Sequence, residues 1–370
     1  SMTSQLRHTL DKMSDEFLGQ MMKAAENEAA VIAEDGTIGD IENYIDSGSY
    51  ALNALLSGSI YGGWPGNRIS ALAGAEGTGK TFAVISAIRA FLDSNKDAHV
   101  IMFETEGAVS KKQLVSQGVD VSRVAYLPVS VIEDFKVQVN KILDHYKGMK
   151  EADRQPLLIV LDSLGMMTTR KEADDSLSGK DKKDMTRPGA IRSVFRTISL
   201  RACELNIPIL VTNHTYQVVG SYFPMKEMAG GGGLKYAASM IVYLSKAKEK
   251  DKDKKVVGAI VTAKLAKGRL TKEEKVIKTI ISFETGLNRY EGLLPIADQY
   301  GIVTKQGNKW VFPGQNPAFE NAIKKNPQKY YTDEVLKLID EACGKEFLFG
   351  STLDDGDEVK DLTEDLTQVE

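Results

Sequence analysis

The segment Gly74-Ala75-Glu76-Gly77-Thr78-Gly79-Lys80-Thr81 has the GxxxxGK[ST] spacing of a loop that holds the phosphates of a nucleoside triphosphate. Its glycines let the backbone turn N–H groups inward, Lys80 supplies a mobile ammonium, and Thr81 offers a hydroxyl to a divalent cation. A nucleoside triphosphate with Mg²⁺ is therefore the expected ligand. Three more polar groups follow apolar runs. Leu157 to Leu161 ends in Asp162, an acid suited to hold Mg²⁺ together with Thr81. His99 to Phe103 ends in Glu104-Thr105-Glu106, and phosphoryl transfer calls for a carboxylate that orients water; Glu106 is preferred over Glu104. Ile209 to Thr212 leads into Asn213-His214, where His214 is placed to sense a γ-phosphate. The expected catalytic set is Glu106, Lys80 and His214.

These groups need a frame that brings strand ends together. Apolar runs at Arg68 to Leu72, His99 to Phe103, Val124 to Leu127, Leu157 to Leu161, Ile209 to Thr212 and Met240 to Leu244 alternate with helical patterns. Such alternation predicts an α/β fold, a mostly parallel sheet flanked by helices. The P-loop joins one of these strands to a helical run, Phe82 to Leu92. Beyond Lys246 a Lys-rich turn between strand-like flanks predicts an antiparallel hairpin. Ser14 to Ala33 reads as an amphipathic helix ending at Asp35-Gly36. Four segments are expected: a helical arm over 1–44, the nucleotide-binding core over 45–291, a small α+β domain over 292–350, and an acidic disordered tail over 351–370. The small domain includes an aromatic hairpin, Ile302-Val303 with Trp310-Val311-Phe312.

The chain has 370 residues, 42% of them apolar, enough for a large core. No run reaches the ~18 apolar residues of a membrane span, and a cytoplasmic protein is expected. Cys203 and Cys343 stand alone and read as reduced structural thiols. The net charge of -4 is unevenly spread. From Leu353 onward eight acids face only Lys360, a charge of -7, so the rest of the chain carries +3 and a polyanion partner is not excluded. Such a tail is either a solvated end or a mimic that competes with nucleic acid. Two loops could meet that partner: Met166 to Pro188, rich in Lys and Arg, and Thr215 to Gly233, with Tyr216, Tyr222 and Phe223 before four glycines.

The segments Ile45 to Asn53, Gly66 to Ile69, GAEGTGKT, FETEG, LLIVLDSLG, LVTNH and GGGGLKYAAS occur in the order found in RecA-type homologous recombinases, which the chain resembles over most of residues 45 to 300. The DSLG after Leu161 and the run Asn213 to Tyr216 are similar to the T-even phage branch. This resemblance implies a RecA-like ATPase core with an N-terminal docking arm. It also implies filaments on single-stranded DNA that pair it with homologous duplex, with mediator and single-strand-binding proteins as further partners and no membrane. Glu106 falls on the family's water-activating glutamate and His214 on its switch residue. Lys267 and Arg269 match cations that reach the ATP of the next protomer, and Phe283 matches a residue that stacks on adenine. The two loops match L1 and L2, with Arg187, Arg192, Tyr216, Phe223, Gly231 and Gly232 as the expected DNA contacts. Gln113 departs from the family's adenine-stacking tyrosine. The rival readings are a RecA-fold hexameric helicase and a non-catalytic ATP-gated recombination mediator.

Overall fold

The computed structural model describes residues 17–180, 183–217, 226–228, 232–250, 256–268, 271–282 and 286–348. The chain divides into two compact units, 1–41 and 42–370. In the first, a helix runs over Phe17–Ala25 and a 3₁₀ turn over Ala33–Asp35. The helix expected to reach Ala33 is thus shorter. Glu26 takes a left-handed φ of 53°, and the Asn27 side chain accepts from Ala29 N at 2.9 Å, a local turn that competes with helix.

The second unit is built on a ten-stranded sheet. Its strands are β1 (Ile69–Gly74), β2 (His99–Glu104), β3 (Val124–Pro128), β4 (Leu157–Asp162), β5 (Ile209–Gln217), β6 (Lys226–Met228), β7 (Met240–Lys250), β8 (Val256–Lys267), β9 (Val276–Ser282) and β10 (Gly286–Leu287). Their order is β10-β9-β8-β7-β1-β5-β4-β2-β3, with β6 beside β5. From β7 to β3 the pairs are parallel, whereas β7, β8, β9 and β10 pair antiparallel. The mostly parallel sheet and its late hairpin are as the alternation predicted.

Period-two geometry sends alternate side chains to opposite faces. Leu72, Val100, Met102, Leu158, Val160 and Leu210 enter one apolar cluster, with the helices Tyr50–Ser57 and Lys80–Ser94. Ile69, Ala71, Phe103, Ile159, Leu161, Ile209 and Val211 enter the other, with the helices Ile132–Gly148 and Arg187–Leu205. The latter helices present Phe135, Val139, Leu143 and Ile191, Val194, Phe195, Ile198 at helical spacing, and Phe103 meets Phe135 edge-on at 5.0 Å.

Two local expectations need correction. The L1 region contains a helix, Arg170–Leu177, because Thr169 and Glu172 form a reciprocal capping box and Arg170 N donates to Glu133 Oε2 at 2.8 Å. In the C-terminal hairpin the strands are Thr304–Gln306 and Lys309–Val311, not Ile302-Val303 and Trp310 to Phe312. The left-handed Gly307 sets the turn, while Val303 is buried in the large cluster. That cluster also holds Leu293, Ile339 and Phe347 beside Leu52 and Leu55, so the C-terminal segment shares the core's apolar interior at these positions.

Candidate active site

The P-loop follows β1, whose six residues are all buried. Gly77 (φ 72°) and Gly79 (φ 94°) occupy left-handed conformations that side chains disfavour, and Gly79 caps the helix Lys80–Ser94. The N-terminal N–H groups of that helix face the loop. Lys80 is 7% exposed and donates from Nζ to the carbonyls of Gly74 (2.7 Å) and Ala75 (2.9 Å). Burial pushes its ammonium below the ordinary lysine range, opposed by Asp162, Glu106 and Glu76.

Thr81 Oγ1 donates to Asp162 Oδ2 at 3.1 Å, and Thr212 Oγ1 donates to Asp162 Oδ1 at 2.6 Å. Burial raises the Asp162 carboxyl above its ordinary value; the two hydroxyls pull it down, and Glu104 and Glu106 add to the rise. A hydroxyl and a carboxylate side by side at a glycine cradle form the hard-oxygen donor set Mg²⁺ takes when it also binds phosphates, so these residues fit ATP with Mg²⁺.

Sheet register assembles the remaining groups. Gly74 pairs with His214, and Glu104 pairs with Asp162. The β5 strand runs through His214 to Gln217 instead of stopping at Thr212, because β6 supplies a ladder partner for Thr215 to Gln217. His214 Nε2 lies 3.2 Å from Glu106 Oε1, both side chains being about one third exposed or less, at 27% and 33%. Glu104, by contrast, is 3% exposed and engaged with its own backbone. Its carboxylate accepts from Glu106 N (3.2 Å), Gly107 N (2.5 Å), Ala108 N (2.7 Å) and Tyr126 OH (2.7 Å). Thr105 ties the ends of β2 and β4 together, accepting from Ser163 N at 3.0 Å across the cis Asp162–Ser163 peptide. Lys80, Thr81, Glu106, Asp162 and His214 line one pocket of about 300 Å³ with Glu76, Gly77 and Ile281. It lies beyond the carboxyl ends of parallel strands, where open α/β sheets bind ligands.

A profile of the RecA N-terminal domain family matches residues 12–288. The chain belongs to the RecA family. Among its relatives, a phage T4 protein called "Recombination and repair protein" is 29% identical over 259 residues, covering 70% of this chain and 64% of the T4 protein. "Protein RecA" of Paenarthrobacter aurescens is 24% identical over 341 residues, covering 90% of this chain and 93% of that protein. "Protein RecA" of Thermotoga neapolitana is 24% identical over 320 residues, with coverage of 81% and 84%. The match thus spans just under two thirds of the T4 relative and most of the two bacterial RecA proteins. Among the described residues no helix is long and apolar enough to cross a membrane.

The other residues singled out in this RecA-family chain are more scattered. Arg187 Nη2 donates to Met167 O (2.9 Å) and Gly165 O (3.4 Å), bracing the start of the segment expected to be L1, while Arg192 is exposed further along the helix. Asp184 holds the same region, accepting from Thr169 Oγ1 (2.8 Å), Thr186 N (2.8 Å) and Thr186 Oγ1 (2.6 Å); these bonds lower its carboxyl to about 2. Lys267 Nζ donates within the chain to Lys235 O (2.8 Å) and Tyr236 O (3.2 Å), at the end of the helix Gly232–Ala237. Tyr216 lies in β5 opposite Glu227, and Gly232 begins that short helix. Phe223, Gly231, Arg269, Phe283 and the acidic tail lie outside the described residues. Gln113 sits in the helix Lys111–Ser116, where its N–H donates to Ser110 Oγ at 3.1 Å. Thr105, Thr212 and Tyr126 carry no sequence signal, since no local motif marks a hydroxyl whose partner is tens of residues away. Both cysteines are free; burial raises Cys343 to about 12.

Proposed function

We propose that this chain is a DNA-dependent ATPase that polymerises on single-stranded DNA as a helical filament and catalyses homologous pairing and strand exchange. The observation that carries the reading is the Glu106–His214 contact of 3.2 Å beside the P-loop, on a strand that leads into L2. A carboxylate suited to the attacking water and a residue leading into the DNA loop thereby share one hydrogen bond, which lets nucleotide and DNA bias the same element.

In this reading the P-loop N–H groups and Lys80 bind the β- and γ-phosphates. Thr81 and Asp162 would hold Mg²⁺, which when bound offsets phosphate charge. Glu106 orients the attacking water and takes its proton. His214 holds the Glu106 carboxylate and shifts with it, moving β5 and L2. Phe283 packs on the adenine, and Lys267 and Arg269 reach the ATP of the adjacent protomer, coupling nucleotide binding to filament growth. Arg187, Arg192, Tyr216, Phe223, Gly231 and Gly232 line the DNA path. Affinity there comes from phosphate contacts and base stacking, while homology is read by base pairing. The arm over 1–44 docks protomers, and the site of action is the cytoplasm of a phage-infected or bacterial host cell. Mediator and single-strand-binding proteins act as loading partners.

Electron microscopy with single-stranded DNA and a non-hydrolysable ATP analogue tests the proposal. Continuous helical filaments are expected; closed six-membered rings would favour a helicase instead.

A further inference from the structure

Glu104 and Tyr126 lie outside the set that touches nucleotide, yet they bound the turn carrying Glu106. Glu104 is nearly fully buried, and its four donors are three consecutive main-chain N–H groups and a phenol, none of them a cation. Three successive N–H groups aimed at one carboxylate make an anion nest, and here the anion is the protein's own. One of those N–H groups belongs to Glu106, so the carboxylate fixes where the Glu106 backbone stands. Gly107, at φ 66°, completes the turn. Tyr126 comes from β3, at the edge of the sheet, one strand beyond β2. Its residue is 40% exposed, but its hydroxyl points inward to Glu104 Oε2 at 2.7 Å. Its ring lies with Val109 and Leu114 along a shallow groove.

A buried carboxylate met by neutral donors is a costly way to stabilise a turn, and an apolar pair would serve packing equally well. What the arrangement supplies is a fixed stance. We propose that Glu104 and Tyr126 are a positioning pair for ATP hydrolysis, with the Tyr126 hydroxyl anchoring the Glu104 carboxylate and that carboxylate aiming Glu106 into the pocket. The inference rests on the proposed role of Glu106 as the water-orienting group. It makes turnover depend on a residue from the outermost strand of the sheet.

Tyr126→Phe keeps the ring and removes only the anchor. With single-stranded DNA present, kcat for ATP hydrolysis is expected to fall about tenfold, or ~1.4 kcal/mol in barrier. KM for ATP should stay within about twofold, because phosphate binding does not use the turn. Filament formation with a non-hydrolysable analogue should match the wild type, and the Tm should fall by a few degrees at most, because the buried carboxylate keeps its three N–H donors. Glu104→Gln, which sets an amide N–H₂ against backbone donors, should show the same split with a larger fall in kcat. A wild-type kcat in Tyr126→Phe, or a loss shared equally by KM, filament formation and Tm, would overturn the pair's role. Glu106→Gln assayed alongside separates the two layers. If Glu106→Gln hydrolyses normally, the role of Glu106 falls and the pair with it; if it is inactive while Tyr126→Phe is unimpaired, the pair alone falls.

Discussion

Thr212→Val isolates one hydroxyl on which the account of the metal site depends. Thr212 is fully buried, and its hydroxyl donates to Asp162 Oδ1 at 2.6 Å, opposite the oxygen that meets Thr81. Valine keeps the branched shape and leaves a buried carboxylate oxygen without that donor. Losing a partner of this kind costs roughly 1–3 kcal/mol, so the Tm should drop by a few degrees at most. The functional effect should be larger. Residues that orient a metal ligand from behind are worth about 10–100-fold in metal affinity, so half-saturation for Mg²⁺ in ATP hydrolysis should rise by that factor. Thr212→Ser retains the hydroxyl and should remain near the wild type. The assay is a Mg²⁺ titration of the DNA-stimulated ATPase at saturating ATP and DNA. A folded Thr212→Val protein with unchanged Mg²⁺ dependence would refute the reasoning, because Asp162 would then need no second anchor.

Asp162→Asn probes the same carboxylate through stability. Its folded pKa is raised, chiefly by burial, so the ionised form destabilises the metal-free fold as pH rises through that value. Without Mg²⁺ and nucleotide, Asp162→Asn should raise the Tm at neutral pH, with the gain shrinking in acid; a lower Tm at neutral pH would count against the assignment of burial as the dominant cause. Asp184 behaves in the opposite sense. Its carboxyl is lowered to about 2, so its contribution is present above the ordinary Asp value and is lost as pH falls through about 2. Asp184→Ala should speed tryptic cleavage after the exposed Lys183 at neutral pH, and an unchanged cleavage rate would show that this segment is held by other contacts.

The phosphate loop and Asp162 were legible because each is a local pattern, a fixed spacing or an apolar run ending in an acid. The parallel sheet was legible for the same reason, since strands buried on both faces read as continuous apolar runs. The choice between Glu104 and Glu106 was only half legible. Two acids two residues apart look alike in sequence, and what separates them is a buried nest closed by Tyr126, 22 residues further along. Thr212 and Asp162 are 50 residues apart, and only the β4–β5 pairing brings them together. The L1 helix, in contrast, carried its signal in plain view. Thr169 and Glu172 have capping-box spacing, but the surrounding charges favoured a loop. The Lys267 ammonium shows a different limit, because its sequence position fits a contact with a neighbouring protomer while its partners within the chain include the Lys235 and Tyr236 carbonyls.

In the proposed function DNA and nucleotide act on one element, the Glu106–His214 contact beside the P-loop. Steady-state ATP hydrolysis with and without single-stranded DNA, for the wild type and for Lys80→Ala, tests it most directly. Strong stimulation of the wild type by DNA and no turnover by Lys80→Ala are the predicted results. Equal turnover with and without DNA, or wild-type hydrolysis by Lys80→Ala, would contradict it.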